Sequence, residues 1–323
     1  MTTQHANLPG MLYLEPTYGL ANRMRAIASG LELAQKTKKK ITLVWVNDGE
    51  LNCSFQELFQ PIDALPILIK PVLWQFTKNS KQDKPILKLT TKLVNKMMGF
   101  DYCVKEINGE TLREGGKWNI HSVINQHKSV YIQTCADFME NDSMLKQFKP
   151  VAELQAQIDA RTQNFKSNTI GLHIRRTDHS ESIKNSPLSL FIQRINEELR
   201  QDSDACFYLS TDDPETATSL RELYGEKILV FPKDFSRSSV QGIKDAVVDL
   251  FCLAKTRKII GSFNSSFSNI ASRISQIDLC IVTRKSNTFS KKITRHFLSR
   301  NIAPKPELLT QIRLTPHCIR VRH

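Results

Sequence analysis

The stretch Thr169-Ile-Gly-Leu-His-Ile-Arg-Arg-Thr-Asp178 is a short apolar run that ends in two adjacent arginines, a threonine and an aspartate. In a β-strand successive side chains point to opposite faces, so Arg175 and Arg176 leave the strand on opposite sides. Guanidinium groups at a strand's carboxyl end suit a phosphorylated ligand, because arginine binds phosphate through two hydrogen bonds and stays charged at any working pH. The stretch therefore predicts a strand followed by a phosphate site, with a surface cluster of ion pairs as the alternative.

The chain that follows this stretch alternates apolar runs with helical stretches. Strands are predicted at 169–175, 205–210, 227–231, 258–261 and 277–282, and helices are predicted to start near Pro187, Pro214, Val240 and Ser265. Asp213 and Pro214 are a helix start, since aspartate caps a helix N-terminus and proline fits the first helical position. Five strands separated by helices are typical of a doubly wound α/β domain, in which ligands bind beyond the carboxyl ends of the strands.

The first half of the chain begins with the same alternation and then loses it. We predict strands at 11–14, 41–46, 64–69 and 130–134, a loop at 15–19, helices at 20–36, 54–59 and 151–165, and no assignment for the basic segment 78–96. A chain of 323 residues exceeds the size at which single cores stop growing, so two domains are expected. The predicted boundaries are 1–150 for the first domain, 151–282 for the second and 283–323 for a basic tail.

The charge of the chain points to an anionic partner. The sequence carries 45 basic and 32 acidic residues, a net charge of +13, which favours a nucleotide, a nucleic acid or an anionic lipid surface. The tail at 283–323 holds ten lysines or arginines and one acid, Glu307. It is interpreted as a solvated tail or as a contact to the inner leaflet of a membrane.

The amino terminus and the cysteines indicate a compartment. The first ten residues lack the basic start and apolar core of a signal peptide, and no apolar run reaches transmembrane length, so we expect a cytoplasmic protein. The seven cysteines are scattered and form no CxxC pair, which argues against a disulfide framework and against a zinc site. Cys206, Cys252 and Cys280 lie in apolar runs and are expected to be free core residues.

Four polar clusters follow predicted strands. They are Gly19-Leu-Ala-Asn-Arg-Met-Arg25, His173-Ile-Arg-Arg-Thr-Asp178, Ser210-Thr-Asp-Asp-Pro214 and Ser262-Phe-Asn-Ser-Ser-Phe-Ser268. Hydroxyls and free backbone N–H groups at a helix start form an anion site, which the helix dipole strengthens. The serine cluster is interpreted as half of a diphosphate site completed by the arginines, or as ordinary helix capping.

Taken together, these segments resemble the fucosyltransferase superfamily that carries the His-x-Arg-Arg-x-Asp motif, which includes α-1,2-, α-1,6- and protein O-fucosyltransferases and the rhizobial nodulation enzyme. The match is His173-Ile-Arg-Arg-Thr-Asp178, supported in the family's order by 19–23, 210–214, 249–255 and 260–267. The resemblance implies a GT-B architecture of two Rossmann-like domains facing each other across a cleft. It also implies that no metal or other cofactor is needed and that GDP-fucose, the donor, is bound mainly by the second domain.

The resemblance also implies roles for single residues on the donor side. Arg175 would hold the β-phosphate and offset charge on the departing GDP. Arg176 would support it, His173 would contact nucleotide or sugar, and Asp212 would lie near the nucleoside. Asp249 would bind the guanine or ribose end or organise the arginine, and Ser265 and Ser266 would cap the diphosphate.

The proton acceptor and the acceptor-binding residues are predicted with alternatives. Glu181 lies just after the motif, near where α-1,6 enzymes place a carboxylate, at a shorter spacing, and His179 could equally serve as base. Asp178 is a catalytic candidate that could instead pair with an arginine. Asn22 and Arg23 are expected on the acceptor side of the cleft, or as residues that bridge the domains.

The sequence thus predicts an inverting glycosyltransferase that moves fucose from GDP-fucose to a glycan acceptor, such as a lipid-linked precursor of a bacterial-type surface polysaccharide. One alternative keeps the fold and changes the nucleotide sugar. A remote alternative is a basic nucleic-acid-binding protein. Against it, no helix-turn-helix, zinc finger or basic surface interleaved with aromatic residues is evident.

Overall fold

The computed structural model describes residues 10–79, 85–105, 113–114, 117–118, 120–139, 142–177, 179–236, 238–284 and 318–321. The chain folds as two compact units, Met1–Lys149 and Pro150–His323. Each unit contains one large sheet whose neighbouring strands are parallel, except for a single antiparallel strand at one edge of the second sheet.

The first unit is built on a five-stranded parallel sheet of order β3-β2-β1-β7-β4. Its strands are β1 (Met11–Pro16), β2 (Lys40–Trp45), β3 (Ile67–Ile69), β4 (Tyr102–Lys105) and β7 (Ser129–Thr134), and β5 (Arg113–Glu114) pairs separately with β6 (Lys117–Trp118). The helices are α1 (Leu20–Thr37), α2 (Phe55–Leu58), α3 (Pro85–Met97), α4 (Ile120–Asn125) and α5 (Asp142–Leu145), with a 3-10 helix at Val72–Phe76. The nearly continuous burial of β2 is expected for a parallel strand covered on both faces.

The second unit is built on a six-stranded sheet of order β10-β9-β8-β11-β12-β13. Its strands are β8 (Ile170–Ile174), β9 (Phe207–Thr211), β10 (Ile228–Leu229), β11 (Lys258–Ser262), β12 (Asp278–Val282) and β13 (Cys318–Val321). Its helices are α6 (Ala152–Thr162), α7 (Ser180–Asn185), α8 (Leu188–Gln201), α9 (Pro214–Tyr224), α10 (Val240–Ala254) and α11 (Ser266–Ser275), with a 3-10 helix at Gly225–Lys227.

The strand order of the second sheet reverses between β8 and β11. From β8 the chain first adds β9 and β10 on one side and then returns to add β11 and β12 on the other. All five residues of β8 are buried, and Leu172 and Ile260 belong to the core between sheet and helices. β11 approaches α11 closely, because a Cβ atom built on Gly261 would lie 2.7 Å from Ser268 Oγ. Ligands of open parallel sheets bind beyond such a reversal.

The predicted rhythm of the second half is confirmed, and several predictions elsewhere need correction. The five predicted strands and the four predicted helix starts of the second half lie within about two residues of the observed ones, whereas α7 was not predicted. Glu15 and Pro16 belong to β1, not to a loop, because they pair with β7. The unassigned segment at 78–96 contains most of α3, and β4 was not predicted.

The basic tail and Cys280 also differ from expectation. Within 283–323 the residues Cys318–Val321 form β13, antiparallel to β12, whereas 285–317 lie outside the described residues. Cys280 is disulfide-bonded, so the prediction of a free core cysteine is wrong there, while Cys206 and Cys252 are free. None of the helices that the structure describes is both long enough and apolar enough to cross a lipid bilayer.

Candidate functional site

Ser262 joins the carboxyl ends of the two strands at the reversal of the second sheet. Its buried hydroxyl accepts a hydrogen bond from the backbone N–H of Arg175 at 3.0 Å and donates to the carbonyl of His173 at 3.2 Å. These contacts fix the point where the chain leaves β8 and enters the arginine loop, defined as residues 175–177. Ser262 was predicted only as part of an anion-binding cluster, and the geometry gives it a positioning role.

Asp212 holds the arginine loop from the neighbouring strand β9. Its carboxylate accepts the backbone N–H of Arg176 at 2.7 Å and the Thr177 hydroxyl at 2.8 Å. It therefore anchors the loop, and this role differs from the predicted placement beside a nucleoside. Asp178, a predicted catalytic residue, lies outside the described residues.

His173 and Ser265 meet where β8 ends and α11 begins. The His173 side chain is 8% exposed, and its ring stacks on Phe267 with centroids 4.9 Å apart. Ser265 Oγ lies 3.5 Å from His173 Nδ1, and Ser265 precedes α11 in an extended conformation without a side-chain hydrogen bond to that helix. Ser266, half-buried, is the first helical residue. The structure thus brings the predicted histidine and serines together.

The guanidinium of Arg176 has an unused donor. Its Nη1 atom is buried and has no hydrogen-bond partner among the described residues, and the Arg175 side chain is half-buried in the same loop. A buried N–H group without an acceptor destabilises a protein unless an acceptor is supplied. Phosphate oxygens are suitable acceptors for a guanidinium, and the N-terminus of α11 adds backbone N–H groups that favour an anion.

The predicted base lies in the short helix α7. Glu181 is exposed, and its carboxylate accepts a hydrogen bond from Asn185 Nδ2 at 3.1 Å. His179 caps the same helix, with Nδ1 accepting from the Ser182 N–H at 3.0 Å. Ser182 Oγ in turn donates to the Phe263 carbonyl at 2.6 Å, so α7 is fixed to the segment that follows β11.

Asp249, in α10, is a buried hub and not a free ligand-binding carboxylate. It accepts hydrogen bonds from Tyr208 Oη at 2.6 Å, Ser210 Oγ at 3.0 Å, Lys233 Nζ at 2.6 Å and Arg161 Nη1 at 3.3 Å. Both carboxylate oxygens are therefore occupied, and the arginine that it organises is Arg161. Burial, followed by the charge of Asp249, raises the pKa of Tyr208 well above its ordinary value, so the hydroxyl remains a donor.

Two partners of Asp249, Arg161 and Lys233, were not predicted from the sequence. Arg161 lies at the end of α6, and Lys233 lies in an irregular segment, so no periodic pattern connects them to Asp249. The one available signal was the polar end of β9, where Tyr208 and Ser210 alternate on one face.

Arg23 in the first unit is consumed by internal contacts. Its side chain is 1% exposed, donates to the carbonyls of Tyr18 at 2.7 Å and Val46 at 2.5 Å, and pairs with Asp48 at 2.8 Å. Its guanidinium also lies 4.8 Å from the Trp45 ring centroid. Burial lowers the pKa of Arg23 and the charge of Asp48 opposes that shift. These contacts connect the loop before α1 to the end of β2, so Arg23 holds parts of the first unit together; its place on the acceptor side stays a prediction.

The other predicted residues of the first unit, Asn22 and Arg25, lie near Arg23 in the sequence of α1. Asn22 is half-buried in the first turn of α1. Arg25 donates from Nε to the Cys135 carbonyl at 2.6 Å. Both residues follow the carboxyl end of β1, as the sequence predicts.

A second buried carboxylate, Glu15, was missed because its segment was predicted as a loop. Lys70 Nζ lies 2.7 Å from Glu15 Oε2, Gln133 Nε2 donates to Oε1 at 2.6 Å, and the Tyr131 hydroxyl also donates to the carboxylate. Burial, followed by the charge of Glu15, raises the pKa of Tyr131. Among the residues the structure describes, no group of three or more His, Cys, Asp or Glu is placed to hold a metal ion.

Two sheets of mainly parallel strands with covering helices, one in each unit, make this an α/β protein of the GT-B type. The similar solved structures described here are structures of fucosyltransferases. NodZ α-1,6-fucosyltransferase soaked with GDP-fucose is 16% identical, with a TM-score of 0.56 over 85% of this chain and 95% of that chain. NodZ from Bradyrhizobium gives the same identity and coverage and a TM-score of 0.54.

Two further structures have the same fold. An Arabidopsis thaliana FUT1 mutant in complex with GDP is 13% identical, with a TM-score of 0.60 over 97% of this chain and 74% of that chain. POFUT1 in complex with GDP-fucose is 14% identical, with a TM-score of 0.50 over 83% and 95%. No family model matches the sequence, and comparison with curated proteins found no significant match. The similarity confirms the predicted fold class.

Proposed function

We propose that this protein is a glycosyltransferase that transfers fucose from GDP-fucose to a glycan acceptor with inversion at the fucosyl carbon. The observation that carries the proposal is the unpartnered, buried Nη1 of Arg176 in the loop that leaves β8 at the reversal of the second sheet. The similar folds of NodZ and POFUT1, both solved with GDP-fucose, support a guanosine diphosphate sugar as the donor.

The proposed donor site lies between the arginine loop and the start of α11. The diphosphate accepts hydrogen bonds from Arg176 and from the first N–H groups of α11, where Ser265 and Ser266 add hydroxyls. His173 is held against Phe267 and contacts the nucleotide or the sugar. Asp212 does not touch the donor in this proposal, because its oxygens already anchor the loop.

Arg175 is the proposed stabiliser of the leaving group. As the bond from fucose to GDP breaks, negative charge grows on the β-phosphate, and a fixed guanidinium offsets that charge more strongly in the transition state than in the ground state. The Ser262 hydroxyl holds the Arg175 backbone and so limits the reorganisation that the reaction requires. The charge is supplied by arginine, so we propose that the reaction needs no metal.

Inversion requires a base that takes the proton of the acceptor hydroxyl as it attacks. We propose Glu181, which is exposed and held by Asn185. His179 is the second candidate through Nε2, because Nδ1 accepts the cap hydrogen bond of α7. Asp178 is kept as a proposed catalytic residue on the family resemblance. Asn22 is the proposed acceptor-side residue of the first unit.

A panel of nucleotide sugars tests the donor. We expect the protein to release GDP from GDP-fucose faster than from GDP-mannose, and to release no UDP from UDP-glucose, even before an acceptor is known. Glycan precursors of bacterial surface polysaccharides, free and lipid-linked, are then added and products are detected by mass spectrometry. A preference for a donor without guanosine would defeat the fucosyl assignment and favour a transferase of another sugar.

A matched pair of variants connects this activity to the site. Arg175→Ala is expected to lose GDP release, whereas Arg200→Ala is expected to keep it. Arg200 is exposed in the last turn of α8, which ends at the amino edge of the sheet, opposite the proposed site.

A further inference from the structure

Helix α3 of the first unit turns an apolar row outward. Leu89, Leu93 and Met97, spaced four residues apart, are 75%, 60% and 73% exposed. Residues at this spacing lie on one side of a helix, so the three side chains form a continuous row. The opposite side of α3 is polar and buried, with Thr91 and Asn95 almost fully covered. A helix that buries its polar side and exposes its leucines has the reverse of the arrangement expected when only water surrounds a protein.

The neighbouring 3-10 helix also exposes apolar side chains. Val72, Leu73 and Phe76 are exposed, whereas Trp74 between them packs at 4.7 Å from the Phe100 ring centroid and 5.2 Å from Tyr13. Trp74 therefore fixes the direction in which the other three side chains point.

Two sets of contacts hold the 3-10 helix and α3 together. Asn95 Oδ1 accepts from the Lys78 N–H at 2.9 Å, and Asn95 Nδ2 donates to the Lys78 carbonyl at 2.8 Å. Phe100, which follows α3, packs on Trp74. The row of α3 and the three exposed side chains of the neighbouring 3-10 helix are together named the apolar face, since exposed apolar groups concentrated in one region mark an interaction surface.

A row of lysines borders the apolar face and indicates that its partner carries negative charge. Lys88, Lys92 and Lys96 are exposed and lie one position before the three apolar residues of α3, so the two rows run side by side along the helix. Among the described residues from 70 to 105 there are six lysines and one acid, Asp101. A protein partner with an apolar surface would not require this charge. A surface with hydrocarbon below a layer of negative charge matches both rows, because lysine stems extend to the charged layer while leucine enters the acyl layer.

We propose that the apolar face and its lysine row dock the first unit on an anionic lipid surface. Leucine, methionine and phenylalanine side chains enter the boundary between headgroups and acyl chains, and the lysines contact lipid phosphates. This site is distinct from the basic tail at 283–323, for which a solvated tail and a membrane contact were the two interpretations. The proposal does not depend on the donor or on the reaction.

Vesicle flotation with the full chain tests the proposal. The wild type is expected to bind vesicles that contain phosphatidylcholine and phosphatidylglycerol, and to bind pure phosphatidylcholine vesicles weakly. The variant Leu89→Ser/Leu93→Ser/Met97→Ser is expected to lose about tenfold or more in affinity for the anionic vesicles. Lys88→Gln/Lys92→Gln/Lys96→Gln is expected to lose a similar factor and the dependence on anionic lipid.

Matched controls separate the face from general charge and hydrophobicity. Lys146→Gln/Lys149→Gln/Lys166→Gln removes the same charge from exposed positions elsewhere, and Leu223→Ser removes an exposed leucine of the second unit. Both are expected to bind vesicles like the wild type. All replaced side chains are exposed, so thermal unfolding is expected to be unchanged, and Leu93→Trp is expected to shift its fluorescence to the blue when anionic vesicles are added.

Three results would overturn the proposal. The first is a wild type that binds no anionic vesicle. The second is vesicle binding that survives in the triple-serine variant, which would leave the basic tail as the membrane contact. The third is a wild-type dimer that the triple-serine variant dissolves while neither form binds vesicles, which would assign the face to a second copy of the chain.

Discussion

Arg23 and Arg176 each follow a parallel strand of their own unit, and they differ in whether their guanidinium N–H donors already have partners. Arg176 lies in the loop directly after β8, and Arg23 lies in the first turn of α1, the helix that follows β1; each of these strands lies where its own sheet reverses order. Nε and Nη1 of Arg23 donate to two backbone carbonyls, and Nη2, which makes no hydrogen bond of good geometry, is ion-paired with Asp48 at 2.8 Å. Nη1 of Arg176 is buried with neither a hydrogen bond nor an ion pair among the described residues. An arginine at a strand end is therefore a ligand-binding candidate only when its donors are not already used.

The buried carboxylates give the same lesson. Asp249 was predicted to bind the donor, yet its oxygens are occupied by two hydroxyls and two cations. Glu15 in the first unit has a similar shell of one tyrosine, one lysine and one glutamine. Each carboxylate connects elements of its own unit. Buried carboxylates whose oxygens are already occupied thus maintain the fold of their unit.

The largest expected effect comes from breaking the hub of the second unit. Asp249→Ala removes the counter-charge of the largely buried Arg161 and Lys233, and we expect the free energy of unfolding to fall by about 3–5 kcal/mol. Urea unfolding measures the loss, with Asp204→Ala, at an exposed aspartate of the same unit, as control. Unchanged stability together with lost GDP binding would return Asp249 to the donor site.

The next effect concerns the reaction. Arg175→Ala is expected to reduce the rate of GDP release by about 10²–10³-fold, or roughly 3–4 kcal/mol of transition-state stabilisation. Initial rates at saturating GDP-fucose measure it, and Arg200→Ala serves as the control. If KM for GDP-fucose rises while kcat is unchanged, Arg175 binds the donor without stabilising the departing GDP.

A smaller effect is expected from replacing Arg23, whose guanidinium already has partners within the first unit. Arg23→Met keeps much of the side-chain volume but removes three polar contacts, and we expect a loss of about 2–3 kcal/mol in the free energy of unfolding because two carbonyls lose their charged donor. Chemical denaturation measures the loss. Full stability accompanied by a lower rate of fucosyl transfer would place Arg23 on the acceptor side after all.

The smallest effect is a pH dependence in the first unit. Burial lowers the pKa of His127, which stacks on Tyr102. The unfolded chain therefore binds the proton more readily than the folded chain, so stability is complete above the ordinary histidine pKa of about 6.5 and falls as the pH drops below it. The ring is partly exposed, so we expect less than about 1 kcal/mol. His127→Phe should remove this dependence, and unfolding curves that stay pH-dependent in that variant would assign it to another group.

The sequence predicted the second unit well because its signals are local. Asp213 and Pro214 start α9 by their own chemistry, and the apolar runs of β8 and β9 are fully buried parallel strands. It also placed His173, Ser265 and Ser266 together, since carboxyl ends of adjacent parallel strands share one edge of a sheet.

The rest depends on contacts between residues distant in sequence. The guanidinium of Arg23 finds its partners at Val46 and Asp48, more than twenty residues away. The loop of Arg176 is placed by Asp212, which follows β9. No spacing in the sequence reveals either arrangement. Helix α3 was not assigned, although Leu89, Leu93 and Met97 recur at helical spacing. Periodicity shows which residues share a side of a helix but not which side is buried, so the outward direction of this row was visible only in the structure.

Isothermal titration of GDP into the wild type, Arg176→Ala and Arg23→Met tests the central claim most directly. We predict that the wild type binds GDP and not ADP, that Arg176→Ala loses about tenfold or more in affinity while keeping its unfolding free energy, and that Arg23→Met, although less stable, binds GDP like the wild type. Equal affinity for GDP and ADP, no binding at all, or full GDP affinity in Arg176→Ala would contradict the assignment of the unused arginine to the donor diphosphate.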